Sequence, residues 1–349
     1  DENQKPPPIK KSLKSKKKVS VPSRSDGLDP TAHPFERSVV QIASTFQFED
    51  YENPWKGDEP RDCTGSGFII EKNGRHYILT NAHVVENSTF LQVRLANQDK
   101  SYTAKPLQVS YQADMALLEV EDPEFQQVTE PVEFGDMVSV RDKVYVVGFP
   151  MGGDELSTTK GIISRIEVQE YAEAGEPGLM AQTDSAINPG NSGGPVFDGE
   201  KVVGIAFQGI NFADGLGYMI PMPVVQHFLE DYFSPGPYKG FPMLSFNFQP
   251  LTNPNFHKSL RLHEKYTGVM LTRIDSLTDP ESKLQKGDIL HAVDGIQISN
   301  DGKAKIPGIG NRIDMSYLFQ RKHVGEKVVL SVIRENPETK KKEMHKIPI

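Results

Sequence analysis

One cysteine in 349 residues means that no disulfide within the chain can staple the fold, so its order must come from a hydrophobic core. No apolar run approaches the roughly 18 residues that span a bilayer, which excludes a transmembrane helix. An overall excess of positive charge is missing too. Eight Lys or Arg and no acid fall between residues 5 and 24, which leaves 31 basic against 47 acidic residues elsewhere. An acidic body with one basic tail argues against nucleic-acid binding. A His-Glu-x-x-His zinc pattern is absent, and the Gly302-Lys303 pair lacks the context of a phosphate loop. Neither a metal nor an organic cofactor is expected.

What is present suits a globular chain. Hydrophobic residues make up 37% and charged residues 25%, and the length exceeds one ordinary core, so two domains are expected. Residues 1–32 combine the Pro6-Pro7-Pro8 run with the Lys10 to Lys18 cluster and few apolar side chains. They are expected to be a disordered basic tail, with peripheral contact to an anionic membrane as its functional alternative. Asp1 rather than Met at the start leads us to expect a targeting segment ahead of it.

Within a first domain expected over 33–235, the chain from Ser38 to about Gly217 shows short apolar or alternating runs broken by Gly, Pro, Asn and Asp, the pattern of an all-β barrel or sandwich. Two of those runs, Phe68-Ile69-Ile70 and Tyr77-Ile78-Leu79-Thr80, are joined through Asn73-Gly74, a strong hairpin signal. One helix is predicted near Pro221 and Pro223, where Val224, Val225, Phe228, Leu229, Tyr232 and Phe233 recur at helical spacing. Residues 236–241 follow as a linker, and 242–349 form a second unit of strands and turns. Cys63 is expected to be a small packed residue rather than a reactive thiol.

The sharpest chemical signal is Asn188-Pro189-Gly190-Asn191-Ser192-Gly193-Gly194-Pro195, a glycine-rich turn carrying one serine. Such a turn can present a hydroxyl nucleophile and aim neighbouring amides at a developing oxyanion. His83 follows the apolar run ending at Thr80, and Asp114 precedes Met115-Ala116-Leu117-Leu118. The order His, Asp, Ser, with separations of 31 and 78 residues, belongs to one triad architecture among several.

These motifs, with Thr64-Gly65-Ser66-Gly67-Phe68, Gly148-Phe149-Pro150 and Thr183-Asp184-Ser185-Ala186-Ile187, make the chain resemble the HtrA/Deg family of trypsin-like serine proteases. Lys160 to Arg165 and Tyr238 to Pro242 are similar to plant plastid Deg proteases and their bacterial relatives. The resemblance implies a chymotrypsin-like double β-barrel with His83, Asp114 and Ser192 as the catalytic triad. It places Gly190, Asn191 and Ser192 at the oxyanion hole, and Ala186, Ile187, Asn188, Ala206, Phe207 and Gln208 in an uncharged substrate pocket. Cleavage is then expected after small or medium aliphatic residues, because a cation there would lose hydration without a partner.

The C-terminal unit resembles a PDZ domain of strands with short helices, through Gly268-Val269-Met270-Leu271 and Leu284 to Leu290. In such a domain Met243, Leu244, Ser245 and Phe246 form the loop that captures a peptide carboxylate, though the family usually has glycine where Ser245 stands. The resemblance further implies ATP-independent quality control of unfolded or damaged proteins, self-association to a trimer or higher, and an exported setting, the bacterial periplasm or alternatively a plastid. The rival from another class is a holdase or scaffold that keeps the fold without catalysis.

Overall fold

The computed structural model describes residues 35, 37–151, 153, 155–171, 175–207, 217–275 and 283–349. The tail expected over 1–32 and the pocket residue Gln208 lie outside the described residues.

Six antiparallel strands come first: β1 (Val39–Phe46), β2 (Arg61–Lys72), β3 (Arg75–Thr80), β4 (Ser88–Leu95), β5 (Ser101–Ser110) and β6 (Met115–Val120). They close into a barrel in the order β1-β2-β3-β6-β5-β4. The turn from β2 to β3 is Asn73-Gly74, with φ of 54° and 75°, a pair of left-handed residues whose twist matches the flanking strands. A single turn of helix, α1 (Ala82–Val85), follows β3, and α2 (Pro123–Val128) follows β6. Alternation gives β1, β2, β3 and β6 two buried faces, while β4 and β5 bury one. Val40, Ile42, Ile69, Ile78, Val93 and Leu118 share one core, while Val39, Phe68, Leu79 and Leu117 join a larger one with Val146, Phe197 and Ile205 of the next barrel. Burial on both faces explains the near-continuous apolar runs.

The second barrel uses β8 (Lys143–Gly148), β9 (Ser157–Glu170), β10 (Pro177–Thr183), β11 (Pro195–Asp198), β12 (Lys201–Phe207) and β13 (Gly217–Pro221), with the short β7 (Glu133–Phe134) lying parallel beside β12. Pairing of β11 with both β8 and β12 closes the ring β11-β8-β9-β10-β13-β12. The predicted helix is α3 (Met222–Phe233), which buries Val224, Val225, Phe228 and Leu229. Each such side chain withdrawn from water stabilises by about 1.5–3 kcal/mol.

The linker expected over 236–241 is bonded down on both sides. Asp231 Oδ2 accepts from the amides of Lys239 and Gly240 at 2.7 and 2.8 Å, and Tyr238 donates to Ser110 Oγ at 2.8 Å. Gln112 exchanges two bonds with Phe241, accepting from its amide at 3.1 Å and donating to its carbonyl at 3.3 Å.

The C-terminal sheet runs β14 (Phe246–Pro250), β15 (Val269–Ile274), β16 (Ile289–Val293), β20 (Val329–Glu335), β21 (Lys342–Pro348), with β17 (Ile296–Gln297) also pairing β16. A small hairpin of β18 (Lys303–Lys305) and β19 (Arg312–Asp314) and the helices α4 (Pro254–Ser259) and α5 (Tyr317–Gln320) complete it. The buried carboxylate of Asp288 receives two bonds from Arg334, each 2.7 Å, and one from the amide of Gln285 at 2.8 Å. Phe246, Val269, Leu271, Leu290 and Leu330 belong to the same core cluster as the second barrel, and Gln320 donates across to the carbonyl of Pro177.

Candidate active site

His83 and Asp114 both hang from the first barrel. His83 lies in α1, three residues past the end of β3, and Asp114 stands immediately before β6; the strands are neighbours, with Thr80 opposite Ala116. Asp114 adopts the left-handed conformation, φ 47°, which Asp tolerates better than most residues. That bend turns its carboxylate to His83: Oδ2 is 2.8 Å and Oδ1 3.1 Å from Nδ1, and Oδ1 also accepts from the His83 amide at 3.0 Å. Asn81 Nδ2 donates to the Asp114 carbonyl at 2.8 Å, fixing the bend from the other side. The Asp114 side chain is 2% exposed and that of His83 28%. An imidazole whose Nδ1–H is held by a buried carboxylate carries its basic lone pair on Nε2.

Ser192 belongs to the loop between β10 and β11 in the second barrel and is 6% exposed, less than an outward-facing turn predicts. Its turn is stitched to both barrels. Ser66 of β2 accepts at Oγ from the Phe149 amide at 2.8 Å, donates to the Gly190 carbonyl at 2.7 Å, and uses its own amide on the Ser192 carbonyl at 2.8 Å. Gly193 N donates to Ala206 O at 2.9 Å, and Ala206 N donates to Gly194 O at 2.8 Å. Gly193 has φ 84°, and a Cβ there would collide with Ser66 O and Thr80 Oγ1, so the nucleophile turn presses directly on the end of the strand that leads to His83.

The amides around the turn fall into two kinds. Asn191 N donates to Asn188 O at 3.0 Å, so this residue, expected at the oxyanion hole, has its amide engaged elsewhere. The Pro189 carbonyl accepts from Met151 N at 2.8 Å. In a trans peptide the carbonyl and the next N–H point in opposite directions, so that bond turns Gly190 N–H away from Met151. Among the described residues no hydrogen-bond partner engages Gly190 N or Ser192 N.

In the expected pocket, Ala186 and Asn188 are exposed and Ile187 half-buried. Phe207 packs its ring with Tyr171 and Tyr218, at centroid distances of 5.8 and 6.3 Å. Gly217 was not anticipated. It faces Ile187, and a Cβ would lie 2.7 Å from Ile187 Cδ1 and 2.9 Å from Ser185 O, so only glycine leaves that space open. Ser66 was equally unforeseen as a bridge, since the contact joins residues far apart in sequence. Met243, Leu244 and Phe246 line a cavity of about 380 Å³ with Tyr317 and Gln320 of α5, closed on its other side by Leu179, His227 and Ala113. Cys63 is half-buried beside the Val84 carbonyl, and burial pushes its thiol pKa up, away from thiolate chemistry. Among the described residues no cluster of His, Cys, Asp or Glu could hold a metal ion.

The trypsin-like peptidase domain model matches residues 65–205. Protease Do-like 4, mitochondrial, of Arabidopsis thaliana is 38% identical over 301 residues, covering 86% of this chain and 57% of that protein. Protease Do-like 2, chloroplastic, from the same plant is 37% identical over 331 residues, 93% of this chain and 54% of the relative. Serine protease Do-like HtrA of Bacillus subtilis is 32% identical over 300 residues, 82% of this chain and 64% of the relative. The chain therefore spans between 54% and 64% of these relatives' length. Among solved structures, an HtrA-type protease AlgW bound to a decapeptide superposes with a TM-score of 0.64 at 20% identity, covering 90% of this chain and 94% of that one. The serine endoprotease from Yersinia pestis superposes at 0.58 and 18% identity, covering 92% and 98%. These two likenesses concern the fold.

Proposed function

We propose, for a chain that belongs to the HtrA/Deg family of trypsin-like serine proteases, that it is an endopeptidase cleaving unfolded or damaged proteins without ATP. The observation carrying this reading is the paired geometry of the two barrels: the Asp114 carboxylate on His83 Nδ1, and the unengaged amides of Gly190 and Ser192 around the nucleophile. Ser192 Oγ attacks the scissile carbonyl while His83 Nε2 takes its proton. The carbonyl oxygen gains the electron pair and is held by Gly190 N–H and Ser192 N–H. Collapse expels the amine, which His83 protonates, and leaves an acyl-enzyme that water hydrolyses by the same steps. Asp114 stabilises the imidazolium without being protonated. Loss of one oxyanion donor costs about two to three orders of magnitude in rate.

Ala186, Ile187 and Ala206, the residues expected to line the specificity pocket, carry no charge, and Gly217 faces Ile187, which supports cleavage after small or medium aliphatic residues. The Met243–Phe246 loop with α5 supports docking of a peptide terminus on the C-terminal sheet. Self-association to a trimer or higher is part of the same reading. An exported or organellar compartment fits relatives named as mitochondrial, chloroplastic and bacterial, with the periplasm or a plastid as the finer readings. Digestion of unfolded casein, with products mapped by mass spectrometry, tests the function. Cleavage after Val, Ala or Ile that disappears in Ser192→Ala is expected, about a millionfold loss. Unchanged turnover in that variant, or cuts mainly after Lys and Arg, would refute the reading.

A further inference from the structure

The loop of residues 47–60, between β1 and β2, is ordered by its own hydrogen bonds yet hides none of its large side chains. Gln47 Nε2 donates to Asp58 O at 2.7 Å and Asp58 N to Phe48 O at 3.1 Å, which ties the two ends of the loop together. At its tip, Asp50 accepts from the amides of Glu52 and Asn53 at 2.9 and 3.1 Å and from Asn53 Nδ2 at 3.0 Å. On this frame Tyr51 is 88% and Trp55 84% exposed, with Phe48 at 45%. At the root of the loop, Phe90 stands opposite Thr45 in the β1–β4 ladder and is 48% exposed. A cluster of exposed aromatics on a fixed frame marks a binding surface, because Trp and Tyr lose little entropy when covered and contribute large contact area.

The charge around these rings is mainly negative, with Arg61 at the start of β2 the cation at the root of the loop. Within the loop Glu49, Asp50, Glu52, Asp58 and Glu59 are set against Lys56 alone, and Glu49, Glu52 and Glu59 form no ion pair among the described residues. The loop is also anchored beside the catalytic histidine: Gln47 N donates at 3.2 Å to the carbonyl of Asn87, four residues after His83. If His83 protonates the leaving amine, as proposed above, the C-terminal half of the substrate departs past His83, toward this loop.

We propose that residues 47–60 form a docking surface for cationic, partly apolar segments of the polypeptide being cleaved, on the leaving-group side of the scissile bond. The aromatic rings cover apolar side chains and the stems of Lys and Arg, and the carboxylates pair with the cationic heads. An anionic lipid surface is disfavoured by the same carboxylates. A two-fold contact with a second copy would set this acidic face against itself.

Trp55 is the chain's one tryptophan, so its fluorescence reports directly on the patch. The test uses the full chain with Ser192→Ala, which binds without cutting, titrated with a labelled peptide alternating Lys and Leu and with its Glu-Leu counterpart. Saturable blue-shifted Trp55 emission is expected with the Lys peptide, with affinity at least about tenfold above that of the Glu peptide and falling as salt is added. Glu49→Gln, Glu52→Gln and Glu59→Gln together should weaken the Lys peptide at least about tenfold by anisotropy, at an unchanged melting temperature. Equal affinity for the two peptides would overturn the proposal. So would peptide binding that leaves Trp55 emission unmoved, or a blue shift that grows with protein concentration alone, which would assign the patch to a second copy. Failure here with casein digestion intact in the Ser192 enzyme removes the docking surface and leaves the triad standing.

Discussion

The two barrels hold their parts of the site by different means. In the first, His83 and Asp114 sit at the ends of paired neighbouring strands, and the bonds described between them and from Asn81 lie within that barrel. In the second, the Ser192 turn owes its shape to Ser66 across the interface and to a core continuous with the C-terminal sheet. The acid-base pair is therefore built in, whereas the nucleophile and its oxyanion amides depend on the register between units.

The largest effect short of removing the nucleophile is expected from Asp114→Asn. Asn keeps the left-handed backbone but presents the wrong partner to Nδ1–H, so kcat should fall about ten-thousandfold with little change in melting temperature. A loss of less than tenfold would break the claim that this carboxylate fixes the imidazole. Ser66→Ala removes the bond to Gly190 of the nucleophile turn and the one from the Phe149 amide after β8, and leaves the His83–Asp114 pair untouched. It should lower kcat about tenfold and stability by about 1–3 kcal/mol, while the Nδ1 proton resonance of His83 stays in place. Movement of that resonance would show that the barrels are not independent.

Arg334→Ala leaves the buried Asp288 carboxylate without its cation and should destabilise the C-terminal sheet by about 3 kcal/mol in thermal or urea unfolding. Because that sheet shares the second barrel's core, the variant should also slow cleavage while sparing the His83 resonance. The smallest effect concerns pH. His227 of α3 stacks between Phe241 and His323, donates from Nε2 to the Lys322 carbonyl, and has its Nδ1 buried without a partner. Burial holds its pKa below the ordinary 6.5, despite the nearby carboxylates of Glu230 and Asp231. The unfolded chain thus binds this proton more readily, so stability present above pH 6.5 is lost as pH falls through the lower folded value. Unfolding midpoints measured from pH 8 to 5 should show that decline, and His227→Gln should flatten it. An unaltered profile in the variant would assign the decline to other groups.

Much of this was legible in the sequence because it is local. Asn73-Gly74 announces a hairpin through its positive φ, α3 follows its apolar spacing, and the glycine-flanked Ser192 stands out by turn chemistry. Both barrels and the strand-rich C-terminal unit follow from those signals with the family resemblance. What escaped is non-local. No periodicity tells that Ser66 reaches Gly190 across 124 positions, that Gly217 leaves room opposite Ile187, or that Gln112 exchanges bonds with Phe241 across 129. The linker's anchors, Asp231, Ser110 and Gln112, likewise lie in other elements, so its sequence does not announce them. Asn191 was grouped with the oxyanion donors by its place in the motif, and only the fold shows its amide turned to Asn188.

The central claim is that the two separately held halves meet in one working triad, and a serine-directed phosphonate tests it most directly. With a small aliphatic group at its specificity position, the reagent should add one adduct, mapped by mass spectrometry to the peptide carrying Ser192, and should abolish casein cleavage in proportion. His83→Ala should prevent both adduct and cleavage. Cleavage that persists in the fully labelled protein, or an inactivating adduct on a different serine, would contradict the account.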